Sequence, residues 1–272
     1  MKWYPAPGKL NLFLHLLGKR ADGYHELQTV FRLIDRADRV GLAVRRDGEI
    51  RFSGPFGEEN LCLRAARLLK SESGTGLGAD LALEKTLPIG GGLGGGSSDA
   101  ATVLIVLNRL WELHLDRNAL RLLGAKLGAD VPAFIYGRNA LGEGIGERLT
   151  ALDLPAAWYL VLEPQVSVST REIFGSALTG QSKALTIPPF FPGQGANDLE
   201  AAVVARFPEV AAHLEWLRQR SPQARMTGSG ACVFAEFSSQ AEARSLHDQL
   251  PSSMRGFVAR GLDRHPLYEG TD

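Results

Sequence analysis

Between residues 88 and 99 the chain reads Pro88-Ile89-Gly90-Gly91-Gly92-Leu93-Gly94-Gly95-Gly96-Ser97-Ser98-Asp99, with six glycines in seven positions. Before it, Leu81 to Leu87 (LALEKTL) alternates as a strand does. After it, SSDAATVLIVLNRLWEL predicts a long, largely buried helix. A strand, a bare backbone and a helix in that order have a physical use. Without Cβ atoms the backbone can approach a ligand closely and take positive φ. Several N–H groups then point into one concavity at a helix N-terminus, where the dipole also favours an anion. Ser97 and Ser98 add hydroxyl donors. These residues predict a phosphate cradle; a flexible loop with Ser97 as an ordinary helix cap is the other reading they allow.

The loop does not end in Gly-Lys-Ser/Thr, which removes the Walker A class. Gly90, Gly92 and Gly95 formally satisfy G-x-G-x-x-G. A dinucleotide fold would next need a second strand with an acidic residue at its end. Here the helix runs through Trp111 to His114 directly into Asp116, a helix-capping residue.

The rest of the composition narrows the class. The chain has 272 residues, 44% of them hydrophobic, enough for one large domain or two packed subdomains. Thirty Lys plus Arg balance 30 Asp plus Glu, which argues against nucleic acid or a membrane surface as partner. Cys62 and Cys232 stand alone, with neither a disulfide framework nor a zinc cluster, and suit a reducing cytoplasm. The apolar run Leu10 to Leu17 is short and holds Asn11 and His15, so it predicts a buried strand in a soluble, untargeted protein, not a signal peptide or a span.

Val40 to Arg46 and Glu49 to Phe52 flank Asp47-Gly48, a hairpin signal. Asn60 caps LCLRAARLLKS, and Trp158 to Leu162 predicts a short buried strand. Residues 182–195 turn rich in Pro, Gly and Phe and predict a long loop, with helices after it from Asn197 and from Pro208. The chain then predicts strand (Arg225 to Thr227), glycine turn, strand (Cys232 to Phe237), helix (Gln240 to Gln249), strand (Phe257 to Arg260). Strands and helices mix without a regular βαβ rhythm, so the expected class is α+β. The expected subdomains are residues 1–153 and 154–272, with a break in the stretch TALDLPAA.

Three segments resemble one family. Pro88-x-Gly-x-Gly-Leu-Gly-x-x-Ser-Ser is similar to the ATP-binding loop of the GHMP kinases. Pro7-Gly8-Lys9-Leu10-Asn11-Leu12 and Thr227-Gly228-Ser229-Gly230-Ala231-Cys232-Val233-Phe234 fit the same family in order and spacing, although many members carry Ala where Gly8 stands. Arg20-Ala21-Asp22-Gly23-Tyr24-His25-Glu26-Leu27-Gln28-Thr29 is narrower and resembles the member whose acceptor is a cytidine-diphosphate-linked polyol. Gly128-Ala129-Asp130-Val131-Pro132, Val168-Ser169-Thr170 and Asn197-Asp198-Leu199-Glu200 resemble that member too. The resemblance implies a two-subdomain fold with a cleft, and ATP-dependent phosphorylation of a small-molecule hydroxyl. Kinases of the same family with mevalonate or homoserine as acceptor, and a non-catalytic sensor on the same fold, are the competing readings.

Carried over residue by residue, the resemblance implies Asp130 as catalytic base and Lys9 as its electrostatic partner. As plain sequence, Asp130 equally predicts a helix N-cap, and Lys9 a strand-edge lysine in solvent. Asn11, two positions along the strand from Lys9, shares its face. The resemblance implies Asn11, Tyr24, His25, Thr170 and Phe174 as substrate contacts, with Tyr24 and Phe174 stacking on the base. It implies Pro88, Gly90 to Gly92, Leu93, Gly94 to Gly96, Ser97 and Ser98 around the ATP phosphates, with Asn60 and Lys85 bordering the adenine and Gly228 and Ser229 on a second phosphate-facing turn. Phosphoryl transfer from ATP needs Mg2+. Ser98 is a candidate ligand and Asp99 another, although acidic residues are common in a first helical turn for dipole reasons alone.

Overall fold

The computed structural model describes residues 1–176, 183–187, 190 and 193–269. The chain opens with two long strands, β1 (Lys2–Lys19) and β2 (His25–Arg45), then β3 (Ile50–Ser53), α1 (Leu61–Ser73) and β4 (Gly78–Glu84). Three helices follow, α2 (Gly95–Leu110), α3 (Arg117–Ala125) and α4 (Val131–Tyr136), and the hairpin β5 (Ala140–Gly144) and β6 (Arg148–Ala151). The second half holds β7 (Trp158–Leu162), α5 (Thr170–Ser176), α6 (Glu200–Val204), α7 (Pro208–Arg218), β8 (Arg225–Met226), β9 (Val233–Phe237), α8 (Gln240–His247) and β10 (Gly256–Leu262). The α+β expectation holds, and among the described residues no helix is long and apolar enough to cross a membrane.

One sheet path runs β3-β4-β2-β10-β7-β9-β8, with β1 and the β5–β6 hairpin also on β2. β10 joins the halves through only two residue pairs, Gly261 with Ile34 and Leu262 with Leu33. The expected hairpin across Asp47-Gly48 does not form. The local turn is present, since Gly48 has φ +77° and the Asp47 carboxylate accepts from Glu49 N at 3.1 Å. Yet β4 occupies the edge of β2 in seven antiparallel pairs, from Arg39–Glu84 to Arg45–Gly78, and β3 runs parallel to β4 on its far side. The reason is length and pattern. β4 offers buried Ala79, Leu81 and Leu83 in alternation, whereas β3 is four residues with none fully buried. α1 is the crossover that parallel pairing requires.

Other expectations shift by a few residues. Asn60 and Asp116 cap α1 and α3 through Cys62 N and Ala119 N. α2 starts at Gly95, with Gly94 in left-handed conformation as its cap, so Ser97 is not the cap. Asn197 makes a bridge to Leu14, and the helix begins only at Glu200. Of the loop expected over 182–195, residues 182, 188–189 and 191–192 lie outside the described residues.

The core forms three clusters. The first packs α1 to α4 on the β1–β2–β4 face, with Leu69, Leu104, Val131 and Phe134 fully buried. The second gathers Leu160, Leu199, Val210 and Met226 of the later half around Leu14 and Leu16 of β1. The third mixes both halves and includes Phe13, Leu93 of the glycine loop, Tyr159, Cys232 and Phe234. Both cysteines are buried and unpaired, and burial pushes their thiols up.

Candidate active site

A cleft of about 520 Å³ lies where β1, the glycine loop, the start of α4, α5 and the turn after β8 meet. Of the residues expected at the site, it brings together Lys9, Asn11, Asn60, Lys85, Pro88, Gly90 to Gly96, Ser97, Asp130, Thr170, Phe174, Gly228 and Ser229. Tyr24, His25 and Ser98 do not line it.

Lys9 and Asn11 share a face of β1, as their spacing requires, and both are 3% exposed. A buried ammonium needs acceptors for its protons. Lys9 Nζ finds Asn11 Oδ1 at 2.5 Å, Gly92 O at 2.8 Å and Asp130 Oδ2 at 3.4 Å. The solvent-edge reading of Lys9 is thereby removed. Asp130 occupies the cap position of α4 but its side chain makes no cap bond, so the carboxylate is left for the cleft, where it is about one-third exposed. A carboxylate beside a buried ammonium at an open cleft can take a proton from a hydroxyl placed there.

The glycine loop is stitched down. Ala231 N and Cys232 N donate to Gly90 O and Gly91 O at 3.0 and 3.2 Å, and Lys9 N donates to Leu93 O at 3.0 Å. Gly92, at φ +75°, lies so near the turn after β8 that a Cβ there would stand 2.2 Å from Thr227 O. The flexible-loop reading therefore fails for a packing reason. The first turn of α2 (Gly95, Gly96, Ser97) opens on the cleft at the positive end of a 16-residue helix. Gly228 backs onto Asn11 and Lys9, where a Cβ would lie 3.1 Å from Asn11 Oδ1 and 3.3 Å from Lys9 Nζ.

Behind the loop sits an ionic cluster that sequence reasoning half missed. Lys85 Nζ bridges Asp38 Oδ2 at 2.5 Å and Asp99 Oδ2 at 2.8 Å, and Asp38 Oδ1 accepts from Thr86 N and Leu87 N at 2.5 and 2.8 Å. Asp38, fully buried at the middle of β2, thus holds the strand-to-loop junction. Burial works against the Lys85 ammonium, but Asp99 and Asp38 outweigh it and its pKa is raised. Burial pushes the Asp99 carboxyl up to about 7, with Lys85 opposing and Asp38 reinforcing. A carboxyl raised by folding favours the folded state below its ordinary 3.8 and loses that advantage as pH rises through about 7. Asp99→Asn cannot ionise. Its melting temperature relative to the parent is therefore expected to climb across that window; a difference flat with pH would remove the raised carboxyl.

Asn60 borders the cleft with both amide atoms engaged, Oδ1 on Cys62 N and Nδ2 on Pro55 O at 2.9 Å. Ser98 is fully buried and its hydroxyl has no hydrogen-bond partner.

On the other side, Phe174 of α5 meets the His25 ring at a centroid distance of 5.6 Å. Burial lowers the His25 pKa, with the Lys19 charge adding to it, which favours a neutral imidazole. Tyr24 stands on the turn between β1 and β2, 58% exposed. Thr170 Oγ1 lies 2.8 Å from Ser229 Oγ, joining α5 to the glycine turn, and both Thr170 and Asp130 line the cleft.

Several residues, most of them inside the quoted motifs, were assigned no role by the sequence. Thr29 and Thr227 hydrogen-bond Asn11, the side chain of Asn197 donates to Met226 O and Gly228 O, and Phe56 and Ile89 stand exposed at the cleft mouth. Phe56 carries a signal only in its backbone, a non-glycine residue at φ +72°.

Residues 60–138 match the GHMP kinases N terminal domain, and residues 192–256 the GHMP kinases C terminal domain. The chain is 57% identical over 272 residues to the 4-diphosphocytidyl-2-C-methyl-D-erythritol kinase of Nitrosospira multiformis, covering 97% of this chain and 92% of that one. It is 56% identical over 271 residues to the enzyme of the same name from Thiobacillus denitrificans, covering 98% and 97%. A crystal structure of 4-(cytidine 5'-diphospho)-2C-methyl-D-erythritol kinase shares the fold with a TM-score of 0.84 at 35% identity, over 96% of this chain and 99% of that one. Both domain matches fall on the segments that build the cleft, one over the glycine loop and Asp130 and the other over the Thr227–Ala231 turn, and with relatives aligned along nearly their whole length the chain belongs to the GHMP kinase family.

Proposed function

We propose that this chain is a small-molecule kinase that transfers the γ-phosphoryl group of ATP to a hydroxyl of 4-diphosphocytidyl-2-C-methyl-D-erythritol, giving the 2-phosphate. The observation that carries the reading is the Asp130 carboxylate, released from capping and paired with buried Lys9 in the same cleft as the α2 N-terminus. The choice of acceptor rests on the relatives' name and on the Asp22-Gly23-Tyr24-His25 turn beside Phe174.

In this reading Asp130 accepts the proton of the acceptor hydroxyl as its oxygen attacks the γ-phosphorus. The new P–O bond forms as the bond to the bridging β–γ oxygen breaks, and that electron pair leaves with ADP. Lys9 holds Asp130 in place and offsets the charge that develops on the attacking oxygen. Backbone N–H groups of the first α2 turn receive phosphate oxygens. Phe56, Leu61, Leu83 and Ile89 offer an apolar mouth that suits a purine face, with Lys85 and Asn60 at its edge. Tyr24 and Phe174 stack on the cytosine, and neutral His25 hydrogen-bonds its edge.

Mg2+ belongs to the same reading. Among the described residues no group of three or more His, Cys, Asp or Glu could cage an ion. A phosphate-borne Mg2+ takes most of its ligands from phosphate and water, so it asks little of the chain. Asp99 lines the cleft and carries a buried Oδ1 without a partner, a hard oxygen that would serve as the protein ligand, whereas Ser98, equally buried, does not line the cleft. When bound, the ion neutralises β- and γ-phosphate oxygens. A boundary near residue 153, with the cleft between residues 1–153 and 154–272, and a reducing cytoplasm for two free thiols, complete the proposal.

The test is ATP consumption with 4-diphosphocytidyl-2-C-methyl-D-erythritol, mevalonate or homoserine as acceptor, each with and without Mg2+. Turnover is expected only with the cytidyl acceptor and Mg2+. Preference for another acceptor would overturn the substrate, and silence with every acceptor would leave a sensor on a kinase fold.

A further inference from the structure

We propose that Thr29 is a positioning residue that fixes which way the Asn11 amide faces and thereby holds the Lys9 ammonium against Asp130. Between the pairs Asn11–Phe31 and Leu14–Thr29, β1 advances three residues while β2 advances two, so the ladder bulges, with Leu12 and Phe13 set against the single residue Val30. Bulges of this kind recur beside active sites, where they re-aim side chains. Here the bulge brings Phe13 O to Thr29 Oγ1 at 2.5 Å.

A carbonyl only accepts, so the Thr29 hydroxyl spends its one proton on Phe13 O. Its lone pairs are then all that Asn11 meets at 2.8 Å, and only the NH2 end of the amide can donate to them. The carbonyl end of Asn11 must therefore turn towards Lys9, which donates to it at 2.5 Å. With Gly92 O as second acceptor, the third proton of the ammonium is left for Asp130. Reversing the amide would set its NH2 against the ammonium, two donors face to face in a buried site. Thr29 is 1% exposed, and its hydroxyl is engaged by Phe13 O and the Asn11 amide. The backbone N–H of Asn11 is tied separately to Thr227 Oγ1 at 2.9 Å, which pins the main chain and leaves the side-chain orientation to Thr29.

The proposal rests on the reading of Lys9 and Asp130 as the reacting pair, so its test carries a readout that does not need turnover. Thr29→Val keeps the β-branched shape in a strand and removes only the hydroxyl; Thr29→Ser keeps the hydroxyl. Thr29→Val is expected to lower kcat about tenfold with KM for ATP within about twofold, and Thr29→Ser to restore kcat. In protein labelled with 15N at lysine Nζ, the Lys9 ammonium, assigned through its loss in Lys9→Met, is expected to give a signal protected from solvent exchange. That protection should be lost in Thr29→Val and regained in Thr29→Ser. Unchanged protection and kcat in Thr29→Val would overturn the proposal, as would failure of Thr29→Ser to rescue, which would assign the effect to packing. If the parent protein phosphorylates nothing, the proposed function falls and the ammonium signal alone decides the role of Thr29.

Discussion

Asp130→Asn is expected to lower kcat by about 10³-fold while ATP binds as before. The substitution keeps size and shape and removes only the ability to accept a proton. Asp130 makes no cap bond, so α4 loses no support, and at one-third exposure the new amide is solvated. Lys9 retains Asn11 and Gly92 as acceptors, which limits the loss of stability. Single-turnover phosphorylation beside calorimetric titration with ATP separates the two effects. Turnover like that of the parent would remove Asp130 as the base; loss of ATP binding together with turnover would assign it to nucleotide binding.

Gly92→Ala is expected to damage both stability and catalysis. The methyl carbon would lie 2.2 Å from Thr227 O and 3.1 Å from Gly230 O, both backbone atoms that cannot rotate away. The positive φ of Gly92 adds about 1–3 kcal/mol of strain for any residue with a Cβ. Relief requires the loop and the turn after β8 to part, and Gly92 O, which holds Lys9, moves with the loop. A displacement of this kind near reacting groups costs about 10²-fold in kcat/KM. Gly96→Ala is the control, because its Cβ would meet only Leu61 Cδ1 at 3.5 Å in the first turn of a helix. There the change should be neutral or raise stability by about 0.5–1 kcal/mol. Thermal melts of the two variants decide the matter, and equal behaviour would refute the tight interlock of loop and turn.

What could be read in advance divides along the distance between partners. The glycine loop, the caps at Asn60 and Asp116, and the strand Trp158–Leu162 are local patterns, and they appear where their sequences lie. Lys9 and Asp130 were legible only through their motifs, because nothing in either segment says that the other is near. The Asp47-Gly48 turn misled because turn chemistry is local while strand pairing is not: β4, reached only after α1, competes for the same edge and has more apolar surface to bury. The early part of β2 and the β5–β6 hairpin went unread, since β2 is buried among β1, β5 and β10 and its polar Gln28, Thr29 and Arg32 break the alternation expected of a strand. Those polar residues are the ones with work to do in the interior. Asp38 and Thr29 belong to this group; each reads as an ordinary polar residue until its partners 48 and 18 positions away are known.

The bond from Asn11 N to Thr227 Oγ1 spans 216 positions of chain, and the one from Leu16 N to Asp198 spans 182. Closing loops of that length is the slow part of folding, because their entropy is lost before their contacts are gained. Helices α1 to α4, made of near neighbours, can form first, while Lys9 and Asn11 acquire their full surroundings only when the last third of the chain docks. A refolding experiment should accordingly see helical signal recover ahead of ATP affinity, with catalytic competence returning as the final event.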